Sequence, residues 1–381
     1  MAKFPVTEFE SKKTPFYYYD KELLARTLDA IKEAAPDKNF HVHYAIKANA
    51  NPEILSIIAN AGLGADCVSV GEVKASLDAG FPADKVVFAG VGKSDEEIDY
   101  SIDHDIACFN VESLPELQLI AEMAADKSRV ANVALRVNPN IDAHTHHYIT
   151  TGLSENKFGI DMALLDKAIA YCQKQPSLRL LGLHFHIGSQ LTDMEPYRML
   201  CNRINELVEE YAAEGITFSW LNVGGGLGID YNAPDTNPIP DFKQFFEIFR
   251  TGIKNVDKFQ IHFELGRSIV AQCGSLITKV LYVKEGIAKK FVIVDAGFTD
   301  LIRPALYQAH HKIENITSTS TVDDTYDVVG PICESSDSFG QNEVLPATKR
   351  GDLIALRSAG AYGEIMASQY NCRNLPGSVI L

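Results

Sequence analysis

The sequence has no apolar run long enough to cross a membrane and no long basic run. No stretch of its 381 residues approaches the roughly 18 consecutive apolar residues of a membrane helix. The first residues, Met1-Ala2-Lys3-Phe4-Pro5, lack the apolar segment of a signal peptide. The net charge is −15, from 35 basic and 50 acidic side chains. Neither nucleic acid nor a membrane is therefore expected as a partner.

The cysteines also lack the spacings that bind zinc or build a disulfide framework. There are seven of them, an odd number, and no Cys-x-x-Cys occurs. Isolated cysteines of this kind are typical of a reducing compartment. We therefore expect a cytoplasmic protein with no disulfide framework and no zinc knuckle.

Aromatic residues are only 9% of the chain, whereas 46% of it is hydrophobic and 22% is charged. These proportions are ordinary for a globular enzyme. A chain of 381 residues can hold one large domain or two, because domains usually contain about 100–200 residues.

Short apolar segments alternate with amphipathic helix patterns between residues 40 and 265. The strand candidates number eight, at 40–46, 64–70, 86–90, 106–111, 132–137, 180–187, 220–223 and 260–265. The helix patterns between them include 52–61, 71–79, 114–125, 162–175, 194–213 and 241–255. Eight βα units whose strands are apolar at consecutive positions predict a parallel (β/α)8 barrel. The alternative is a doubly wound open sheet.

Polar residues recur at the C-terminal ends of these predicted strands. They are Lys47, Asp66, Asn138, His186, Gly224–Gly226 and Glu264. In a barrel such positions converge on the one face where barrel enzymes place their active sites, which favours the barrel over the open sheet.

The pattern changes after about residue 266. Segments 277–283, 290–294, 326–329 and 353–356 resemble strands with little helical periodicity, and 308–324 is polar and predicted to be a loop. Residues 14–19 also resemble a strand. The predicted fold class is α/β plus all-β. It consists of a TIM-like (β/α)8 barrel over 25–265 and a second β-sandwich or β-barrel domain from 1–24 and 266–381.

Lys47 ends the apolar run that begins near Phe40 and lies between Ile46 and Ala48. We therefore expect its side chain to be partly desolvated, which lowers the pKa of a lysine. A neutral amine can attack an aldehyde and form a Schiff base. Taken alone, such a residue is more often a lysine at a strand end with its amine in water, and the residues further along the chain are what favour the Schiff base.

Gly224-Gly225-Gly226 follows the seventh predicted strand. Consecutive glycines let backbone N–H groups approach an anion, and barrel phosphate sites often form from the loops after strands seven and eight. A tight turn is the alternative. The Gly-x-Gly-x-x-Gly pattern is absent, so a dinucleotide site is not expected.

Glu264 ends the eighth predicted strand and is followed by Gly266 and Arg267. A carboxylate is costly to bury alone, and a protonated heteroaromatic nitrogen would offset that cost. Arg267 suits a carboxylate or phosphate. An internal pair between Glu264 and Arg267 is the alternative.

His184 and His186 are two residues apart at the end of the sixth predicted strand, a spacing that would also suit a metal. However, no third ligand has an obvious spacing, so no metal is predicted. A His186 ring stacked on a planar ring, with Ser189 on a phosphate, fits better. A lysine, a glycine-rich phosphate loop, a buried carboxylate and a stacking histidine together describe a pyridoxal 5'-phosphate site.

The chain resembles the diaminopimelate decarboxylases of the fold type III pyridoxal phosphate enzymes, which also include alanine racemases and ornithine decarboxylases. The matching segments span almost the whole chain and are 44–49, 64–66, 136–139, 144–146, 157–159, 186–190, 222–226, 264–267, 303–307, 330–335 and 360–363. Segments 303–307 and 333–335 separate this family from ornithine-type decarboxylases, in which an aspartate typically follows the cysteine.

The resemblance implies a role for each matching residue. Lys47 would bind the cofactor covalently, Glu264 would keep its pyridine nitrogen protonated, and His186 would stack on its ring. Cys333 would return a proton after carbon dioxide leaves. The remaining cofactor contacts would come from Asp66, Ser189, Gly224, Gly225, Gly226, Gly266, Arg267 and Tyr362.

The resemblance also implies the substrate and the assembly. Arg303, Tyr307 and Glu334 would bind the distal amino acid end of meso-diaminopimelate, with Arg267 and Tyr362 also near the substrate. In the family the residues matching Cys333 and Glu334 reach into the partner subunit's site, so a homodimer with shared active sites is expected.

Three other functions remain open from the sequence. A carboxynorspermidine decarboxylase has a similar barrel, but its substrate lacks the distal carboxylate that Arg303 would need. A fold type III amino acid racemase usually places an arginine against the ring nitrogen, where this chain has Glu264. A non-catalytic pyridoxal phosphate carrier of this fold lacks the β domain and Cys333.

Overall fold

The computed structural model describes residues 4–139 and 157–381. The chain forms two compact units. The barrel unit comprises Leu28–Gly228 and Asp241–Gly266, and the sheet unit comprises Met1–Thr27, Ile229–Pro240 and Arg267–Leu381.

The strands and helices are numbered in chain order. The strands are β1 (Phe16–Tyr19), β2 (Phe40–Ala45), β3 (Gly64–Cys67), β4 (Val86–Phe88), β5 (Cys108–Val111), β6 (Ala131–Arg136), β7 (Leu178–His184), β8 (Trp220–Gly225), β9 (Gln260–Leu265), β10 (Gly274–Glu285), β11 (Lys290–Val294), β12 (Ile313–Asn315), β13 (Asp323–Val329), β14 (Ser338–Pro346), β15 (Leu353–Leu356) and β16 (Gly377–Ile380). The helices are α1 (Val6–Phe9), α2 (Lys21–Ala34), α3 (Pro52–Asn60), α4 (Val70–Asp78), α5 (Asp95–Asp103), α6 (Leu114–Asp126), α7 (Met162–Lys174), α8 (Glu195–Ala213), α9 (Phe242–Gly252), α10 (Arg267–Val270) and α11 (Arg303–Tyr307).

Strands β2 to β9 form a closed parallel barrel, which confirms the predicted (β/α)8 architecture. Each strand lies within two or three residues of its predicted position. The barrel closes where β2 pairs with β9, with His43 opposite Glu264. Because all eight strands run in one direction, the residues at their C-terminal ends lie on one face of the barrel.

Side-chain caps fix where the barrel helices begin. Asn51, Ser69 and Ser113 accept hydrogen bonds from backbone N–H groups in the first turns of α3, α4 and α6. Ser94 and Glu97 form a capping box at α5. Each cap satisfies an N–H group that the helix itself leaves without a partner. The capping residue therefore favours the start of its helix at that position.

The sheet unit is built on the order β12-β15-β10-β11-β13-β14, with β1 on β10 and β16 on β1. The mostly sheet character of this unit confirms the prediction of an all-β second domain. The loop predicted at 308–324 is wrong in part, because β12 and the first residues of β13 lie within it. The three-residue β12 is held by pairing with β15, where Ile313 opposes Leu356, and not by any apolar pattern of its own.

Residues 229–240 fell within the predicted barrel range of 25–265, yet they group with the sheet unit. Hydrogen bonds tie this segment to residues of the sheet unit. Arg357 Nη2 donates to Asp235 Oδ1 at 2.8 Å, and Gln272 Nε2 donates to the Asp230 carbonyl at 2.9 Å. Within the described ranges, the longest and most apolar helices still fall short of a membrane span.

Candidate active site

Glu264 is the centre of a buried polar cluster at the C-terminal end of β9. Its Oε1 accepts hydrogen bonds from Asn222 Nδ2 at 2.7 Å and from Asn110 Nδ2 at 3.1 Å. His184 Nε2 lies 3.1 Å from Oε2. Burial raises the pKa of Glu264 and lowers the pKa of His184 well below its usual value. A neutral His184 therefore donates Nε2–H to the carboxylate, and three donors from β5, β7 and β8 fix its orientation.

Asp66 of β3 is a second buried carboxyl group in the barrel unit. Burial raises its pKa well above the usual value, and the negative charge of Glu264 raises it further. The positive charge of Lys47 opposes the rise at both carboxyl groups. Asp66 Oδ1 has no hydrogen-bond partner within the described part of the chain. Two buried carboxyl groups whose negative charges repel each other favour the binding of a cation.

Lys47 lies in a short 3₁₀ turn, Ile46–Ala48, directly after β2. Ile46 and Ala48 are fully buried, but the Lys47 side chain is exposed. The prediction of a partly desolvated lysine is therefore wrong. The turn carries residue 47 beyond the end of the strand, where its side chain is exposed although its apolar neighbours in the sequence are buried.

His186 and Gly224–Gly226 lie side by side in the barrel unit. The Gly225 N–H group points to His186 Nδ1 at 3.5 Å. Burial lowers the pKa of His186 well below the usual value, so its ring is neutral. Ser189 is half-buried in the same loop. The structure thus brings together the predicted ring-stacking and phosphate-binding groups of this unit.

The glycines are required by close backbone approach. A Cβ atom on Gly225 would lie 1.7 Å from the Glu264 carbonyl oxygen, and one on Gly226 would lie 2.3 Å from the Gly188 carbonyl oxygen. Gly226 also has a φ of +95°. A side chain at Gly225 would displace the strand end that carries Glu264, and one at Gly226 would displace the Gly188 backbone, so both positions require glycine.

Arg267 and Arg303 form a second cluster, in the sheet unit. The Tyr231 hydroxyl oxygen accepts hydrogen bonds from Arg267 Nη1 at 2.6 Å and from Arg303 Nη2 at 3.3 Å. Arg267 lies 4.9 Å from the ring centre of Tyr362, and Arg303 lies 5.8 Å from that of Tyr307. Both guanidinium groups are buried. The four predicted residues of this group are therefore together.

Arg303 has no ion-pair partner among the acidic residues that the structure describes. Its remaining hydrogen bond runs from Nε to His311 Nε2 at 3.3 Å. Burial lowers the pKa of Arg303, and the positive charge of Arg267 lowers it further. A buried cation in these surroundings favours an anionic ligand.

Cys333 and Glu334 lie elsewhere in the sheet unit, in the turn between β13 and β14. Both are exposed. The Cys333 N–H donates to Asn371 Oδ1 at 3.3 Å, and Glu334 Oε1 accepts from the Tyr370 hydroxyl at 2.7 Å. Within one chain, these two predicted residues contact the Tyr370–Cys372 turn and not the cluster around Arg303.

The remaining predicted positions can be placed briefly. Gly266 is buried directly after β9. The segment His144–His146 lies outside the described residues. Across the ranges 4–139 and 157–381, no group of three or more histidine, cysteine or acidic residues has the geometry of a metal site.

Several contact residues carried no recognised signal in the sequence. Asn110 and Tyr231 belong to no motif, and Tyr370 and Asn371 lie near the C-terminus, far from the residues that they contact. Asn222 precedes the glycines and His184 precedes His186, so their roles could have been inferred from their neighbours in the sequence.

The barrel-unit residues fit pyridoxal phosphate. The unpartnered Asp66 oxygen and the raised pKa values of Asp66 and Glu264 indicate a place for a cation, such as a protonated pyridine nitrogen. A neutral His186 offers the flat face of its ring for stacking on the cofactor ring. The glycines offer a cradle that no Cβ atom obstructs, and Lys47 offers an accessible amine.

Comparisons with known proteins show the family to which the chain belongs. The family model described as pyridoxal-dependent decarboxylase, pyridoxal binding domain, matches residues 21–271. A diaminopimelate decarboxylase from Bacteroides thetaiotaomicron is 59% identical over 98% of this chain and 97% of its own length. One from Neisseria meningitidis is 44% identical over 98% of this chain and 89% of its own.

A solved structure is similar as well. It is a crystal structure of diaminopimelate decarboxylase from Helicobacter pylori complexed with L-lysine. It matches with a TM-score of 0.93 at 41% identity and covers 99% of this chain and 93% of the other. This chain therefore belongs to the diaminopimelate decarboxylase family of pyridoxal phosphate-dependent enzymes.

Proposed function

We infer that this protein is a carboxy-lyase that converts meso-2,6-diaminopimelate to L-lysine and carbon dioxide, the last step of lysine biosynthesis. Its family membership supports this reaction. The structural observation that carries the substrate assignment is Arg303, a buried guanidinium with no carboxylate partner in the described part of the chain. The distal carboxylate of diaminopimelate would supply that partner.

The barrel-unit residues have roles that follow from their chemistry. Pyridoxal phosphate, when bound, supplies an aldehyde for an amine and a ring that accepts the electrons of the cleaved carbon–carbon bond. Lys47 provides the amine. Glu264, held by Asn110, Asn222 and His184, places a negative charge where a ring nitrogen needs one. His186 presents the neutral face of its ring. The Gly224 N–H donates to Asn222 Oδ1 and the Gly225 N–H points to His186 Nδ1, so the phosphate contact from this loop is assigned to the Gly226 N–H group.

The sheet-unit residues would select the substrate and supply the proton. Arg303 and Tyr307 bind the distal carboxylate, and Arg267 and Tyr362 bind phosphate or substrate. Glu334 binds the distal ammonium group. Cys333 Sγ donates the proton that replaces the departing carboxylate. These assignments rest on the family resemblance together with the burial and hydrogen bonds described above.

Neither alternative enzyme matches these groups as well. Carboxynorspermidine has no distal carboxylate for Arg303, and a racemase of this fold usually places an arginine where Glu264 receives three hydrogen bonds. The diaminopimelate reaction uses both residues.

Replacing Arg303 with alanine is expected to lower kcat/KM for meso-diaminopimelate by about 10²- to 10⁴-fold, because removing one partner of a buried ion pair costs about 3–5 kcal/mol. Lysine and ornithine have no distal carboxylate, so their poor turnover should change little. The measurement is kcat/KM for all three substrates. Arg198→Ala, an exposed arginine on α8, is the matched control. Wild-type turnover of lysine or ornithine as fast as that of diaminopimelate would refute the substrate assignment.

We propose further that the protein is a cytoplasmic homodimer with shared active sites. The seven cysteines are all free thiols, which suits a reducing compartment. Cys333 and Glu334 are exposed on the single chain, although their proposed roles require contact with a substrate. A partner subunit whose site receives these residues would reconcile the two observations.

Subunit mixing tests the shared site. Lys47→Ala and Cys333→Ala are each expected to be nearly inactive as pure dimers. After subunit exchange, about half of the dimers should be mixed, each with one intact site, so about a quarter of all sites should regain activity. Activity is measured before and after exchange, and labelled subunits verify the exchange. No recovery after verified exchange would mean that each site is built within one chain.

A further inference from the structure

The buried carboxylate of Asp337 accepts hydrogen bonds that hold the turn carrying Cys333 and Glu334. Its Oδ2 accepts from the Ile332 N–H group at 2.7 Å, and its Oδ1 accepts from the Phe298 N–H group at 2.6 Å. These bonds tie the backbone of the turn to the segment after β11. They do not orient the side chains of Cys333 and Glu334, which are exposed.

The short turn Tyr370–Cys372 contacts the side chain of Glu334 and the backbone of Cys333. The Tyr370 hydroxyl donates to Glu334 Oε1 at 2.7 Å, and Asn371 Oδ1 accepts from the Cys333 N–H group at 3.3 Å. The Tyr370 ring is itself stacked on Phe298, with ring centres 5.9 Å apart and planes within 20°. Each of the two exposed residues is thus contacted by a neighbour that the family motifs do not include.

The backbone of this turn has an uncommon conformation. Asn371 and Cys372 have φ angles of +53° and +57°, in the left-handed region that non-glycine residues rarely adopt. Two such residues in succession persist only where the surroundings hold them in place, and they are frequent near functional sites. Here the conformation allows Tyr370 and Asn371 to contact adjacent residues of one turn.

The two hydrogen bonds have different chemical consequences. An exposed glutamate ordinarily samples several rotamers, but the Tyr370 hydroxyl holds Oε1 and leaves Oε2 available to a ligand. The hydrogen bond to Glu334, and then the charge of that carboxylate, raise the pKa of Tyr370, so the phenol keeps its proton and remains a donor. Asn371 instead holds the backbone of Cys333, from which the Sγ atom projects.

We propose that Tyr370 and Asn371 are positioning residues for the decarboxylation. Tyr370 orients the Glu334 carboxylate toward the distal ammonium group of the substrate, and Asn371 places Cys333 for proton delivery. This inference rests on the proposed function and deepens it, because it identifies residues that set substrate affinity and proton transfer separately.

The test is a split between KM and kcat in the holoenzyme with meso-diaminopimelate. Tyr370→Phe keeps the ring on Phe298 and removes only the hydroxyl. It should raise KM by about tenfold, the lower range for losing a hydrogen bond to a charged group, with kcat within about twofold. Asn371→Ala should lower kcat with little change in KM, and Asn371→Asp, which keeps the acceptor oxygen, should restore most of it. Tyr282→Phe, an exposed tyrosine on β10, is the matched control.

A double variant separates positioning from a general structural effect. If Tyr370 acts through Glu334, adding Tyr370→Phe to Glu334→Ala should raise KM no further. Additive increases, or a Tyr370→Phe enzyme indistinguishable from wild type, would overturn the inference while leaving the reaction intact. Failure of the wild-type enzyme to use diaminopimelate would instead refute the proposed function itself.

Discussion

Replacing Lys47 with alanine is expected to abolish decarboxylation, with kcat reduced by about 10⁴- to 10⁶-fold, the range over which other covalent catalysts lose activity without their nucleophile. The fold should survive. The Lys47 side chain is exposed, and the turn is anchored by the buried Ile46 and Ala48. We therefore expect the variant to remain folded, which thermal unfolding checks.

The loss can be traced to the amine itself. Borohydride treatment of the yellow wild-type protein should fix the cofactor on Lys47, whereas Lys47→Ala should release it on denaturation. Peptide mapping by mass spectrometry identifies the modified residue. Lys254→Ala is the matched control, because Lys254 is an exposed lysine paired with the exposed Glu209. Recovery of the reduced cofactor on a different lysine would refute the assignment.

Replacing Glu264 with glutamine should lower kcat by about 10²- to 10³-fold, the loss typical when one preorganised electrostatic contact is removed. The glutamine is nearly the same size but carries no charge, so a ring nitrogen opposite it would lose its proton and the ring would accept electrons poorly. The cofactor should remain bound, because Lys47 and the glycine loop are unchanged. Turnover and cofactor content measured on the same sample separate the two effects.

The surroundings of Glu264 add a structural cost that must be measured alongside. Asn110, Asn222 and His184 all donate to the carboxylate, and a glutamine offers one acceptor oxygen in place of two. One buried donor would be left unsatisfied, at a cost of about 1–3 kcal/mol. Thermal unfolding should show this decrease, whereas Glu209→Gln, at an exposed position, should show neither effect. Near wild-type turnover would make Glu264 a structural residue only.

The barrel could be predicted from the sequence because its strands are buried on both faces. Such strands are apolar at consecutive positions, and the polar residues at their ends then mark the functional face. Glu264 and His186 were found in this way, and the structure places each in a polar cluster of the barrel unit. The short strands of the sheet unit were harder to predict from the sequence. β12 and β16 contain only three and four residues, and only two of the nine residues of β14 are buried, so none of them has a distinctive apolar pattern.

The partners of the candidate site residues were harder still to predict. Tyr231 joins Arg267 and Arg303 from a segment, 229–240, that is inserted between barrel elements in the sequence but packs with the sheet unit. Tyr370 contacts Glu334 across 36 positions. Pairings of this kind depend on the folded chain path. The exposure of Lys47 was missed for the same reason. Its apolar neighbours in the sequence indicate a buried backbone, but they do not indicate whether the lysine side chain is buried.

The most direct test of the central claim is the product balance of the purified holoenzyme with meso-diaminopimelate as its sole substrate. We expect one carbon dioxide and one L-lysine for each diaminopimelate consumed, quantified by isotope release and by chiral amino acid analysis. L-lysine and ornithine should release almost none. Carbon dioxide release from lysine at a comparable rate, or interconversion of diaminopimelate stereoisomers without carbon dioxide, would contradict the account.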